Sequence, residues 1–259
     1  MSSGHASLTC LTQPTNCSEG DYDDNQQPNI DNILMFTAFK NMTKQHDKII
    51  IFDCDSTLSS IEGVDELARV AGEEATQEIE RMTAEAMEGT ISLESIFAKR
   101  LEIIQPTADS VSKVGQLYID TVEPSAKQVI TTLKNKGWAP IILSGGYRQA
   151  IKPLADYLGV EFIEAVDLYF YEDGTYRDFD RNYPSTRSGG KPEVVKSLRD
   201  KYSPSKIVAI GDGVSDLESK PVVDMFIGFG RYAVREKVKQ EADYFITDLH
   251  EIVSLVGNL

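Results

Sequence analysis

The sequence predicts an α/β fold: a doubly wound parallel sheet with helices on both faces. Three observations carry that expectation. Short apolar, β-branched runs such as Ile49–Phe52 and Ile207–Ile210 lack the polar alternation of half-exposed strands, so they read as strands buried on both faces. After residue 123 such runs alternate with helical stretches, as in parallel sheets built from crossover helices. Several runs then end directly in Asp, Ser or Gly, at the strand ends where open α/β sheets bind ligands.

Residues 1–28 are rich in Ser, Thr, Asn, Gln and Asp without an apolar period, which predicts a disordered tail; Ile30–Lys40 reads as a short helix, so 1–45 stand apart from the core. The first strand runs straight into Asp53 and Asp55. From Ile61 onward the pattern is helical: Val64, Leu67, Ala68 and Ala71 recur at helical spacing, and Gly72 offers a stop. Further helices are predicted over Ala75–Glu88, Ser92–Ile104 and Ala108–Asp120. So long a helical stretch in an alternating chain predicts an inserted helical cap, residues 61–120, within a core made of 46–60 and 121–259.

In the second part of the core, Pro124 opens a helix that runs to Lys136, and Gly137 closes it. A strand over Trp138–Leu143, a helix over Tyr147–Leu158 and a strand over Val160–Ala165 follow. Asp173-Gly174 between aromatic flanks signals a small β-hairpin insertion at about 167–182. A helix over Pro192–Lys201, the strand Ile207–Ile210 and two short strands at Met225–Phe229 and Tyr244–Thr247 complete the pattern.

Composition narrows the function. With 259 residues and a formal charge of −15, the surface repels nucleic acid and anionic membranes, so neither is an expected partner. An anionic substrate needs a local cluster of positive charge or a metal. No run is long enough to span a bilayer, and the N-terminal stretch lacks a basic region followed by an apolar one, so the expected location is the cytoplasm. Asn16-Cys17-Ser18 and Asn41-Met42-Thr43 then match the glycosylation pattern by chance. Cys10, Cys17 and Cys54 show no metal-type spacing, and Cys54 reads as a buried strand cysteine. A homodimer is left open.

Four points carry chemistry. Asp53-Cys54-Asp55 offers a carboxylate that can attack phosphorus and a second that can protonate a leaving oxygen and then activate water. Carboxylates held this close call for a cation or a shared proton; as the cation, Mg²⁺ suits oxygen ligands and phosphate. Ser144-Gly145-Gly146 presents a hydroxyl and unhindered N–H groups before a helix, a suitable anion site. Lys191, after two glycines, can neutralise charge on a phosphoryl group. Gly211-Asp212-Gly213-Val214-Ser215-Asp216 keeps a turn open and adds carboxylates for a metal.

In this order the four stretches (DxDST, SGG, lysine, GDGxxD) resemble the motifs of the haloacid dehalogenase superfamily of phosphohydrolases. The resemblance implies a Rossmann-like core with Asp53 as nucleophile and Asp55 as general acid and base. It implies Ser144, Gly145, Gly146, Lys191 and Ser215 around the substrate phosphate. It further implies Mg²⁺ held by Asp53, the Asp55 carbonyl and Asp212, with Asp216 outside the ligand set. Glu62-Gly63-Val64-Asp65-Glu66-Leu67-Ala68, Ala86-Met87-Glu88-Gly89, Arg100-Leu101, Ser188-Gly189-Gly190-Lys191 and Ala242-Asp243-Tyr244-Phe245-Ile246-Thr247-Asp248 are similar to the phosphoserine phosphatase branch. That similarity implies a substrate ammonium at Glu62, a carboxylate at Arg100 and an apolar wall at Met87, with hydrolysis of phosphoserine as the last step of L-serine biosynthesis. Tyr147, where that branch usually has Phe, and Glu88, where it has Gly, leave another small phosphomonoester such as phosphoethanolamine as the alternative substrate. A non-catalytic binding module would usually have lost the acids that this sequence keeps.

Overall fold

A computed structural model describes residues 1, 47–87 and 92–259; the expected tail and short helix before residue 46, and Glu88 and Gly89, lie outside the described residues. The central strand is β1 (Lys48–Phe52). The helices α1 (Gly63–Ala71), α2 (Glu73–Met87), α3 (Leu93–Ile104) and α4 (Ala108–Asp120) follow it, with no intervening strand among the described residues. Then come α5 (Ala126–Asn135), β2 (Trp138–Tyr147), α6 (Arg148–Leu158) and β3 (Phe162–Val166). The hairpin β4 (Leu168–Phe170) and β5 (Tyr176–Phe179) precedes α7 (Gly190–Tyr202) and β6 (Lys206–Gly211). A single turn α8 (Val214–Leu217), β7 (Met225–Phe229), α9 (Glu236–Glu241), β8 (Tyr244–Ile246) and α10 (His250–Leu255) complete the core.

Six strands form one sheet in the order β3-β2-β1-β6-β7-β8, and every pairing is parallel. The order reverses between β1 and β6, which opens a crevice beyond the carboxyl ends of those strands. Register fixes what meets there. Phe52 lies opposite Ile142 on one side and Ile210 on the other, so the residues that follow all three emerge together. The Asp53 N–H donates to the Ile210 carbonyl at 2.9 Å and holds the first of them to the frame.

The continuous apolar run of β1 is explained by two cores. Ile50 and Phe52 pack with Ile142, Val208 and Ile210 under one layer of helices. Ile49 and Ile51 pack with Ile141, Ile207 and Ala209 under the other. Alternate side chains of one strand serve opposite faces, so no position can be polar until the strand ends.

The two ends of the stretch that carries α1–α4 meet. Ser59 and Val122 form an antiparallel bridge, the Glu123 N–H donates to the Leu58 carbonyl at 2.8 Å, and the Ser59 and Thr121 hydroxyls lie 2.8 Å apart. Among the helices between, α4 lies against core helix α6. Gly115 allows this, because a Cβ there would sit 2.9 Å from Pro153 Cγ. Thr107 caps α4 through reciprocal bonds with Ser110, and Val111, Val114 and Tyr118 form its buried stripe.

Most predicted elements lie within two residues of the observed ones. The main departure is β2, which continues past Leu143 to Tyr147, while its pairing with β3 is irregular between those residues. Ser144-Gly145-Gly146 is therefore extended backbone turned toward the crevice, and α6 starts only at Arg148. No described helix is long and apolar enough to cross a membrane.

Candidate active site

The crevice holds a pocket of about 210 Å³ lined by Asp53, Asp55, Glu62, Arg100, Gly145 and Gly146, and by Lys191, Asp212, Ser215 and Asp216 among others. Ser144 stands just behind this lining: its Oγ accepts from the Gly146 N–H at 2.9 Å and its carbonyl from the Ser185 hydroxyl at 3.0 Å. The Met87 side chain lies outside the described residues.

Lys191 organises the floor. It is placed at the start of α7, where Gly190 is pressed against the Pro184 carbonyl with no room for a Cβ. Its Nζ lies 2.7 Å from Asp53 Oδ1 and 2.5 Å from Asp216 Oδ1. Burial works to lower the Lys191 pKa, but the Asp216 and Asp53 carboxylates outweigh it and raise the pKa, so the ammonium is retained. Burial, followed by repulsion from Asp216, pushes Asp53 well above the usual carboxylate range, and Lys191 opposes this. The other Asp216 oxygen accepts from the Gly213 N–H at 3.0 Å, which ties the lysine to the turn after β6.

One carboxylate oxygen each from Asp53, Asp212 and Asp216 lies within 4.8 Å of the others, and all three residues are buried. Burial and Asp216 push Asp212 up to about 6. Buried acids that repel one another suit a hard cation with oxygen ligands. Asp212 also accepts from Arg235 Nε at 3.1 Å and, weakly, from the Thr57 hydroxyl at 3.4 Å.

Asp55 begins a tight turn in which Ser56 takes a left-handed φ of 49°. Its Oδ1 accepts from the Tyr118 hydroxyl at 2.5 Å and the Gly63 N–H at 2.8 Å. Burial raises its pKa, while the Tyr118 and Gly63 bonds pull it down. Burial also keeps the Tyr118 phenol protonated, so it remains a donor. Across the pocket, Glu62 Oε1 accepts from the Ser56 hydroxyl at 2.6 Å, and burial followed by repulsion from Asp55 pushes Glu62 up to about 7. Arg100 Nη2 donates to Thr83 Oγ1 at 2.6 Å; its Nε is buried without a hydrogen-bond partner among the described residues.

The structure thus gathers Asp53, Asp55, Glu62, Arg100, Gly145, Gly146, Lys191, Asp212 and Ser215 around one space. Further residues here were absent from the sequence-based set, among them Tyr118, Ser185, Arg187 and Arg235. Tyr118 is disguised by its place in an apolar stripe, and Arg235 by neighbouring surface charges.

A model of the haloacid dehalogenase-like hydrolases matches residues 48–219, and the chain belongs to that family of enzymes. The phosphoserine phosphatase of Bos taurus is 35% identical over 206 residues, which span 79% of this chain and 91% of the relative. A phosphoserine phosphohydrolase-like protein from Francisella tularensis superposes with a TM-score of 0.69 at 32% identity, covering 81% of this chain and 99% of the other. A phospho-aspartyl intermediate analogue of phosphoserine phosphatase gives a TM-score of 0.68 at 29% identity, covering 81% and 98%.

Proposed function

We propose that the chain hydrolyses O-phospho-L-serine to L-serine and phosphate through an aspartyl-phosphate on Asp53. The observation that carries this reading is that Glu62 and Arg100, of opposite charge, line the same pocket as the cluster of Asp53, Asp55, Lys191 and Asp212. Glu62 offers a carboxylate for an ammonium, and the Arg100 guanidinium, which lines the same pocket, suits a carboxylate. Phosphoserine presents both groups and a phosphate. The names of the relatives support the same substrate.

In this mechanism an Asp53 oxygen forms a bond to phosphorus as the serine oxygen leaves, and Asp55 gives that oxygen its proton. Asp55 then takes a proton from the water that opens the acyl-phosphate. Lys191 neutralises charge on the phosphoryl oxygens and holds Asp53 in place. Gly145, Gly146, Ser144 and Ser215 bind the phosphate. Asp53, Asp212 and the Asp55 carbonyl would hold Mg²⁺, which would further neutralise charge on the phosphoryl group. Residues 61–120 serve as a cap that excludes water; α4, seated on α6, forms its fixed side. The reading also carries a cytoplasmic role in the last step of L-serine biosynthesis.

The decisive experiment is kcat/KM for phosphoserine, phosphoethanolamine and 4-nitrophenyl phosphate. Phosphoserine should exceed the other two; equal values for all three would reject the assignment.

A further inference from the structure

We propose that Tyr118 is a positioning residue for the acid–base carboxylate, holding one oxygen of Asp55 so that the other faces the substrate. The inference rests on the roles given above to Asp53 and Asp55. Asp55 Oδ1 receives both the Tyr118 hydroxyl, at 2.5 Å, and the Gly63 N–H, at 2.8 Å. Oδ2 faces the phosphate cradle: a Cβ placed on Gly146 would lie 3.2 Å from it.

The anchor of this contact is rigid. The Tyr118 side chain is buried on α4, and Gly115, one turn earlier, fits against Ala150 and Pro153 of α6. Gly63 is fitted to the same contact, because any Cβ there would overlap the Tyr118 hydroxyl. Two donors from the two ends of the helical insertion therefore meet on one carboxylate oxygen. A buried tyrosine hydroxyl requires some partner. Here the partner is the carboxylate that must deliver a proton.

The consequence is geometric. With Oδ1 taken by two donors, the transferable proton belongs on Oδ2. When the Asp53–phosphorus bond forms, the serine oxygen–phosphorus bond breaks and the Oδ2 proton passes to that oxygen. Tyr118 keeps its own proton throughout. Without the phenol, Asp55 rotates about its side-chain bonds and Oδ2 loses its aim.

Leaving-group dependence separates positioning from packing. Phosphoserine and phosphoethanolamine release alkoxides that need a proton, whereas 4-nitrophenyl phosphate releases a stable phenolate. Because kcat/KM reports steps only through phosphoryl transfer, Tyr118→Phe should lower it roughly 10- to 100-fold for both alkyl substrates. It should change less than about threefold for the aryl one. The equal loss on phosphoethanolamine excludes an indirect effect through Arg100, and the same loss on ethyl phosphate, an alkyl ester without an ammonium, excludes one through Glu62. Gly63→Ala, which displaces the hydroxyl, should give the same pattern and serves if Tyr118→Phe does not fold.

An equal loss on all three substrates, or no loss on the alkyl pair, overturns the proposal. Asp55→Asn is the reference. If its loss depends on the leaving group and that of Tyr118→Phe does not, the role of Tyr118 falls while that of Asp55 stands. If the Asp55→Asn loss is itself uniform, the acid–base role fails and the Tyr118 proposal falls with it.

Discussion

Lys191 Nζ lies 2.7 Å from Asp53 Oδ1, and both side chains are more than nine-tenths buried. The pair is one arm of a bridge whose other arm reaches Asp216. Removing the cation and removing the acid therefore have opposite structural consequences. Lys191→Ala leaves two buried carboxylates facing each other, and should cost about 3–5 kcal/mol as well as activity. Asp53→Asn relieves that crowding, so it should keep or raise Tm while turnover of every substrate disappears. Differential scanning calorimetry beside steady-state kinetics checks both; substantial turnover by a folded Asp53→Asn protein would remove Asp53 from the mechanism.

Glu62 makes a pH prediction with a defined sign. Burial pushes its pKa from an ordinary 4.5 up to about 7. The folded protein thus holds a proton that the unfolded chain releases. This favourable contribution is complete below 4.5 and is lost as pH rises through about 7. Glu62→Gln should flatten the decline of Tm over that window in metal- and substrate-free protein. For catalysis the order reverses, because an ammonium needs the ionised carboxylate. The kcat/KM of phosphoserine should fall below about 7 with a limb that Glu62→Gln removes. A limb unchanged in the variant would assign it to another group.

Arg100 should discriminate between substrates that differ only by a carboxylate. A lost charge-assisted hydrogen bond is worth on the order of 1.5–3 kcal/mol, or about 10- to 150-fold. Arg100→Ala should impose that loss on phosphoserine and a much smaller one on phosphoethanolamine. Equal losses would mean that the Arg100 guanidinium does not read the carboxylate.

The acidic cluster should bind Mg²⁺ independently of turnover. Calorimetric titration of the intact protein should show one site, lost in Asp212→Asn, and chelation should abolish activity. Ca²⁺ should compete but support little reaction, since its looser coordination holds in-line geometry poorly. Full activity in excess chelator would exclude the requirement.

The sheet and the strand-end acids were legible because one physical demand writes both. A strand buried on two faces must stay apolar until it ends, and the polar residues that follow β1 and β6 mark the crevice directly. Lys191 was legible through its order after the other motifs; its pairing with Asp216 was not, because the turn that joins them exists only in three dimensions. Tyr118 was hidden for a related reason. At helical spacing from Val111 and Val114 it has the signature of packing, and its hydroxyl acquires a role only when Gly63 and Asp55 fold beneath it. Arg235 reads as one charge among Arg231, Glu236 and Lys237 until Asp212 is placed beside it.

The position of β1 at the middle of the sheet has a consequence for how activity is acquired. This strand is the earliest element in the sequence among the described residues, yet its neighbours are Trp138–Ile142 and Lys206–Ile210. During synthesis its apolar run must wait, unpaired, until much of the chain has followed. Such long-range pairings close slowly and leave a sticky segment exposed. The α1–α4 segment needs no such wait for its local hydrogen bonds. Far-ultraviolet helical signal should therefore return early in refolding. Turnover should lag behind it, because Asp53, Lys191 and Asp212 meet only when the last central strand docks.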